Sequence, residues 1–173
     1  MKETGIVRHL DELGRIVIPK EIRYNLKMNE GDKVEFYIDK EKIVLKKHTL
    51  FNIYEEDTYY LSKTLFEYFK NSVLITDTDK VVSGYGYLYG KYIDKRLSNT
   101  ALKYILDKKK KYVKFNLVDS VENDYNILIL PLVNDIKCFG SIIMIEDKIK
   151  IDEDMTLLLD FAATYFAKRL DVW

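Results

Sequence analysis

Between Thr4 and Arg23 the chain runs Thr-Gly-Ile-Val-Arg-His-Leu-Asp-Glu-Leu-Gly-Arg-Ile-Val-Ile-Pro-Lys-Glu-Ile-Arg. Two short apolar runs flank a turn at Gly14. Pro19 then suits the opening of a helix, where a fixed φ helps and a missing N–H costs nothing. The segment therefore predicts two short strands, a tight turn and a helix. Beyond it, Asn29-Glu-Gly-Asp reads as another turn, and Lys33–Ile38 alternates as a strand. Asp39-Lys-Glu connects that strand to a second, Lys42–Lys46. Residues 1–48 thus read β-β-α-β-β. Their apolar residues are Ile6, Ile16, Ile18, Ile22, Leu26, Val34, Phe36, Ile43 and Leu45. Below roughly 40–60 residues such a core needs a staple or a partner. Interleaving of strands between two copies is the expected remedy.

The same segment carries four candidate DNA-binding residues: Arg8, Arg15, Lys20 and Arg23. Arginine offers a planar fork of donors that fits the O6/N7 edge of guanine or straddles a phosphate. Arg8 ends the first expected strand and Arg15 begins the second, so both flank one turn. Lys20, Arg23 and Lys27 share a helix face at i, i+3, i+7, and Ile22 and Leu26 form the opposite, buried stripe. Pairing of two chains would double this set. The competing reading leaves these residues solvated, or paired with Asp11, Glu12 and Glu21. Spacing alone does not decide between the two. Net charge is +0 over 173 residues. That excludes a coating polycation but not a basic face. Residues 1–50 hold 11 Lys/Arg and 9 Asp/Glu, a balance of +2, which leaves −2 for the remainder.

The stretch Gly5-Ile-Val-Arg, then Asp11-x-Leu-Gly-Arg-Ile-Val-Ile-Pro-Lys-Glu-Ile-Arg23, resembles the swapped-hairpin DNA-binding domain of the AbrB family of bacterial transition-state regulators. The likeness continues through Gly31-Asp32 to Ile43-Val-Leu-Lys-Lys47. It implies a β-barrel head made from the interleaved strands of two chains, with Arg8, Arg15 and Arg23 on double-stranded DNA. The family commonly has another arginine after Arg23, where this chain has Tyr24; His9 follows Arg8.

After the junction at His48-Thr-Leu-Phe-Asn, residues 54–70 repeat at helical spacing through Tyr54, Thr58, Leu61, Leu65 and Phe69. A strand at 73–76, a turn at 77–80 and a second strand through Val82 follow. Residues 92–107 are expected as a helix. Strands are expected at 112–117, 125–133 and 139–146, the last two joined at Asn134-Asp135, and a closing helix near Asp152. The expected fold class is α+β. A head at residues 1–50 precedes a second domain at 51–173, an antiparallel sheet with flanking helices. This order resembles AbrB-headed sporulation regulators, whose second part is a GAF domain. It implies an activator and repressor of late sporulation genes; the sequence leaves open whether the GAF-like part holds a small-molecule effector, and no enzymatic activity is expected. Pairing of the terminal helices through Met155, Leu158, Leu159, Ala162 and Phe166 would make a tetramer, although burial within one domain explains the same face.

Other candidates are weaker. Tyr85, Tyr87, Tyr89 and Tyr92 are read as packing on the sheet in preference to lining a pocket. Cys138, the one cysteine, is read as a small core residue. It permits no intrachain disulfide, which suits a reducing cytoplasm. Lys108–Lys111 is read as a solvated helix end. His9 and His48 are the only histidines, so no metal, cofactor or catalytic histidine is expected. No apolar run reaches the ~18 residues of a membrane span. A MazE-type antitoxin with the same head is the alternative. Such proteins trail a disordered, toxin-wrapping tail, and the apolar periodicity here argues against one.

Overall fold

The structure is a computed structural model and describes residues 4–26, 28, 30, 33–47 and 50–171. The chain divides into two compact units, Met1–Thr49 and Leu50–Trp173.

In the first unit, the Asp11–Arg15 turn is formed, with Gly14 at φ +72°. That left-handed value explains a glycine at this point. Helix α1 spans Lys20–Asn25 directly after Pro19. Strands β1 (Val34–Asp39) and β2 (Lys42–Lys47) pair antiparallel, with Phe36 opposite Leu45 and Ile38 opposite Ile43. The strands expected on either side of Gly14 do not appear: among residues 4–19 no ladder is assigned. Only Asp11 and Arg15 are tied across the turn, by Asp11 N–H to Arg15 C=O at 3.1 Å. A strand needs a neighbour to complete its ladder, and this unit offers none within one chain. Nor does α1 bury its expected stripe. Ile22 is half-buried and Leu26 exposed. Of the nine candidate core residues, none is buried, and Phe36, Ile43 and Ile16 lie open to solvent.

The second unit is organised by three near-continuous apolar strands. It begins with α2 (Leu50–Ile53) and α3 (Glu55–Phe69), then β3 (Ser72–Thr76) and β4 (Val81–Tyr85). Short α4 (Tyr89–Tyr92) and α5 (Asn99–Leu106) follow, then β5 (Lys111–Lys114), β6 (Asn126–Val133), β7 (Cys138–Ile145) and α6 (Glu153–Leu170). One five-stranded antiparallel sheet results, in the order β4-β3-β7-β6-β5. Val73 and Ile75, Leu128, Leu130 and Leu132, and Ile142 and Met144 join one core with α3 and α6 residues. Leu74, Ile127 and Ile129, and Ile143 and Ile145 join the other, with Tyr92, Ala101 and Ile105. The period of two sends successive side chains to opposite faces, so a sheet covered on both sides needs near-continuous apolar strands. At Gly140 (φ +155°) β7 passes so close to Thr76 that a Cβ would sit 1.9 Å from its carbonyl oxygen.

The expected helix over 92–107 is corrected. Asp94 takes a positive φ of 58°. Helix α5 instead starts at Asn99, because the Ser98 hydroxyl accepts the Ala101 N–H at 3.1 Å as an N-cap. Helix α6 starts as expected, with Asp152 accepting from Met155 N–H at 2.8 Å. Its far end is tied to α3 by Arg169 to Asp57 at 2.9 Å and by the Tyr54 hydroxyl donating to Arg169 C=O at 3.0 Å.

Burial within one domain, the second of the two explanations given for the α6 face, accounts for most of it: Met155 and Ala162 pack against the core. Leu159 and Phe166 belong to the core, beside Ala163, Ala167 and Leu170. The exposed apolar stripe is Leu157, Phe161 and Tyr165, with Leu158 at its side.

Candidate nucleic-acid interface

The four basic residues fall into two sets in one chain. Arg8 and Arg15 lie before and after the turn, and Lys20 and Arg23 lie one helical turn apart on α1; all four are exposed. Lys27 lies outside the described residues. Tyr24, next to Arg23, is 83% exposed, and His9 is exposed beside Arg8.

The turn is built around Asp11. Its Oδ1 accepts the backbone N–H groups of Leu13 at 3.0 Å and Arg15 at 2.8 Å, and its Oδ2 accepts Arg15 Nε at 2.7 Å. Gly14 N–H closes the turn on Asp11 C=O at 2.9 Å. The Arg15 backbone N–H, and then its guanidinium, hold the Asp11 carboxyl below the usual carboxylate range. The pairing of an arginine with Asp11 is therefore real, and it engages only the Nε edge. Arg8 folds one Nη onto Val7 C=O at 2.8 Å. Among the described residues, Arg8, Lys20 and Arg23 form no ion pair. Unpaired cations clustered on a short segment can neutralise phosphates. The fork of Arg15 can in addition read a base edge.

The second unit shows how its tyrosines are used. Tyr92 is fully buried between sheet and α5, and burial pushes its phenol above the usual value. Tyr85 and Tyr87 pack edge-on or tilted against Phe66, at 5.3 and 5.2 Å between ring centres. Both rings rest on α3 through Phe66, and Tyr87 leaves 60% of its surface in solvent. A groove of about 540 Å³ lies elsewhere, lined by Lys110, Tyr112, Leu128, Ile151 and Leu157 among others. Cys138 is half-buried, with its thiol 3.6 Å from Ile105 C=O and raised in pKa by burial. Lys110 and Lys111 pair with Asp160 and Asp107 at 2.5 and 2.8 Å. Among the described residues no helix is long and apolar enough to cross a membrane.

Spacing offers Asp11 as a partner for an arginine but does not show its role in shaping the turn. The signal was present, however, because an Asp three residues before a turn glycine is placed to accept the N–H groups that follow it.

Comparison with known proteins agrees with this two-part layout. Residues 7–50 match the family model for antidote-toxin recognition MazE, bacterial antitoxin. Over 48 residues the chain is 60% identical to the transition state regulatory protein AbrB of Bacillus subtilis (strain 168), covering 28% of this chain and 50% of that one. The chain thus spans about half the length of that relative. It is 29% identical to stage V sporulation protein T of the same organism, over 99% of each. The fold of the second unit is that of GAF domains. It matches one from an Acinetobacter phosphoenolpyruvate-protein phosphotransferase at a TM-score of 0.55 and 11% identity, covering 72% of this chain and 84% of that one. A GAF domain/HD domain protein from Geobacter sulfurreducens gives 0.52 and 14%, covering 72% and 93%. At such identities only the fold is shared. Residues 56–171, well over half of the chain, match the model for the stage V sporulation protein T C-terminal domain, a transcription factor. With an AbrB-type head before that domain, the chain belongs to the family of stage V sporulation protein T C-terminal transcription factors.

Proposed function

We propose that two chains interleave their heads into one barrel that presents a doubled set of Arg8, Arg15, Lys20 and Arg23 to double-stranded DNA. The chain is a DNA-binding transcription regulator of sporulation genes. On this reading it acts on late genes in the cytoplasm, activating some and repressing others. The observation that carries the proposal is the state of the head. None of its nine candidate core residues is buried and its first strands lack a ladder, while Arg8, Lys20 and Arg23 stand beside them in no ion pair among the described residues. Both deficits are met by a second copy.

The exposed stripe Leu157, Phe161 and Tyr165 supports pairing of dimers into a tetramer through α6. Tuning by a small molecule held in the GAF-like unit completes the reading. Because Tyr92 fills the α5 side of the sheet, such a ligand enters there only as Tyr92 moves out. The antitoxin alternative requires a disordered tail, and residues 50–171 instead form a packed domain with two cores.

The test is Arg15→Ala in the full chain. A bidentate base contact is worth roughly 1–3 kcal/mol and occurs twice in a dimer. A gel shift should show a severe loss of affinity while circular dichroism stays unchanged. Undiminished binding by a folded variant would sink the assignment.

A further inference from the structure

Each oxygen of the Asp11 carboxylate has its own task. Oδ1 takes the two backbone N–H groups that shape the turn, and Oδ2 takes Arg15 Nε. Arg15 is otherwise exposed, and its Nη1 and Nη2 engage no partner among the described residues. A guanidinium held along its Nε edge keeps both terminal amino groups on the opposite edge. That edge is the fork which matches O6/N7 of guanine or two phosphate oxygens. A long side chain already fixed at its root also loses less freedom on binding.

Bulk electrostatics makes the opposite demand. A carboxylate beside a DNA-binding surface repels phosphate, so on charge alone Asp11 is a defect. A carboxylate in the middle of the basic set calls for a compensating role, and the geometry supplies one.

We infer that Asp11 is a positioning residue for DNA recognition, anchoring the Nε edge of Arg15 so that its terminal amino groups project as a fixed fork. This rests on the assignment of Arg15 as a DNA contact. Asp11→Asn isolates the effect. Its amide oxygen still accepts the Leu13 and Arg15 N–H groups, whereas its NH₂ faces the Nε donor and breaks the clamp.

The experiment uses the full chain and two duplexes: the one that the wild-type protein selects from a random library, and a scrambled version of it. Fluorescence anisotropy gives affinities for wild type, Asp11→Asn, Arg15→Ala and the double variant. Asp11→Asn should lose about tenfold on the selected duplex, although it removes a negative charge, and change far less on the scrambled one. In the Arg15→Ala background the same substitution should cause no further loss. Binding by Asp11→Asn as tight as wild type or tighter overturns the inference. So does an equal loss with and without Arg15, which marks damage to the turn. If Arg15→Ala itself binds like wild type, the DNA assignment of Arg15 has failed, and the inference falls with it. Should Asp11→Asn not fold, Arg15→Lys replaces it, keeping the charge without the fork. An undiminished preference of that variant for the selected duplex also overturns the inference.

Discussion

Phe36 and Leu45 face one another across the β1–β2 hairpin, yet Phe36 leaves 71% of its surface in solvent. Ile38 and Ile43, the next pair on the same face, are 86% and 73% exposed. Each such side chain gains about 1.5–3 kcal/mol on full burial. Nothing else in a unit this short offers comparable stabilisation. The hairpin is half of a core.

The first prediction follows. Residues 1–50 expressed alone should be a dimer with no folded monomer. Sedimentation equilibrium reports the mass, and amide NMR dispersion reports the fold. Phe36→Ser in the full chain should dissociate the heads and remove DNA binding together. A dispersed spectrum at a monomeric mass that does not depend on concentration would refute this.

A second prediction concerns the loop that leads into α6. Asn71 is fully buried. Its Oδ1 accepts Lys148 N–H at 3.0 Å and Ile149 N–H at 2.9 Å, and its Nδ2 donates to Ile149 C=O at 2.6 Å. Asn71→Leu strands these groups and should lower stability by about 1–3 kcal/mol. Urea denaturation monitored in the GAF-like unit checks this. An unchanged midpoint would show that the loop is held by other means.

The third concerns pH. Burial works to raise the Glu146 carboxyl. Against it stand donors from the Tyr112 hydroxyl at 2.5 Å, Ile151 N–H at 2.8 Å and Asn126 Nδ2 at 3.1 Å, and the balance holds it below the usual glutamate value. A folded-state pKa below the unfolded one stabilises the fold above the unfolded value and is lost as pH falls through the folded one. Wild type should therefore exceed Glu146→Gln in urea midpoint at neutral pH, with the gap closing in acid. A gap that is constant with pH would assign the effect to packing.

Much of the fold was legible because the pattern was local. The apolar runs read as strands at 125–133 and 139–146, the Asp152 cap, and Gly14 in its turn are each settled within a few residues. The start of α5 was missed because helical spacing ran on through Asp94, although Ser98 held the stronger signal. The α6 face was legible as apolar but not as buried or free, since Leu157, Leu158 and Leu159 are consecutive and only packing shows that Leu159 points inward. The strands around Gly14 were read from apolar runs whose ladder one chain does not contain. At the interface, the basic residues were legible as types and spacings. The clamp from Asp11 was not, because which edge of an arginine is engaged depends on coordinates.

Tyr24 gives the fourth prediction. It is exposed one residue beyond Arg23, where a positive charge would meet one more phosphate per head. Each neutralised phosphate adds about −0.9 to the slope of log K against log salt. Tyr24→Arg should thus steepen the slope by nearly two per dimer and tighten non-specific binding. Identical slopes would show that position 24 faces away from DNA.

The central claim is that two heads together make a basic surface that one chain lacks. Salt titration of DNA affinity for the full-length protein tests it most directly. With net charge +0, the molecule as a whole provides no long-range attraction, so a steep dependence must come from the paired local set. If one dimer neutralises about six phosphates, log K should fall linearly against log salt with a slope of about −5. A slope near zero, or binding at a stoichiometry of one chain per site, would contradict the account.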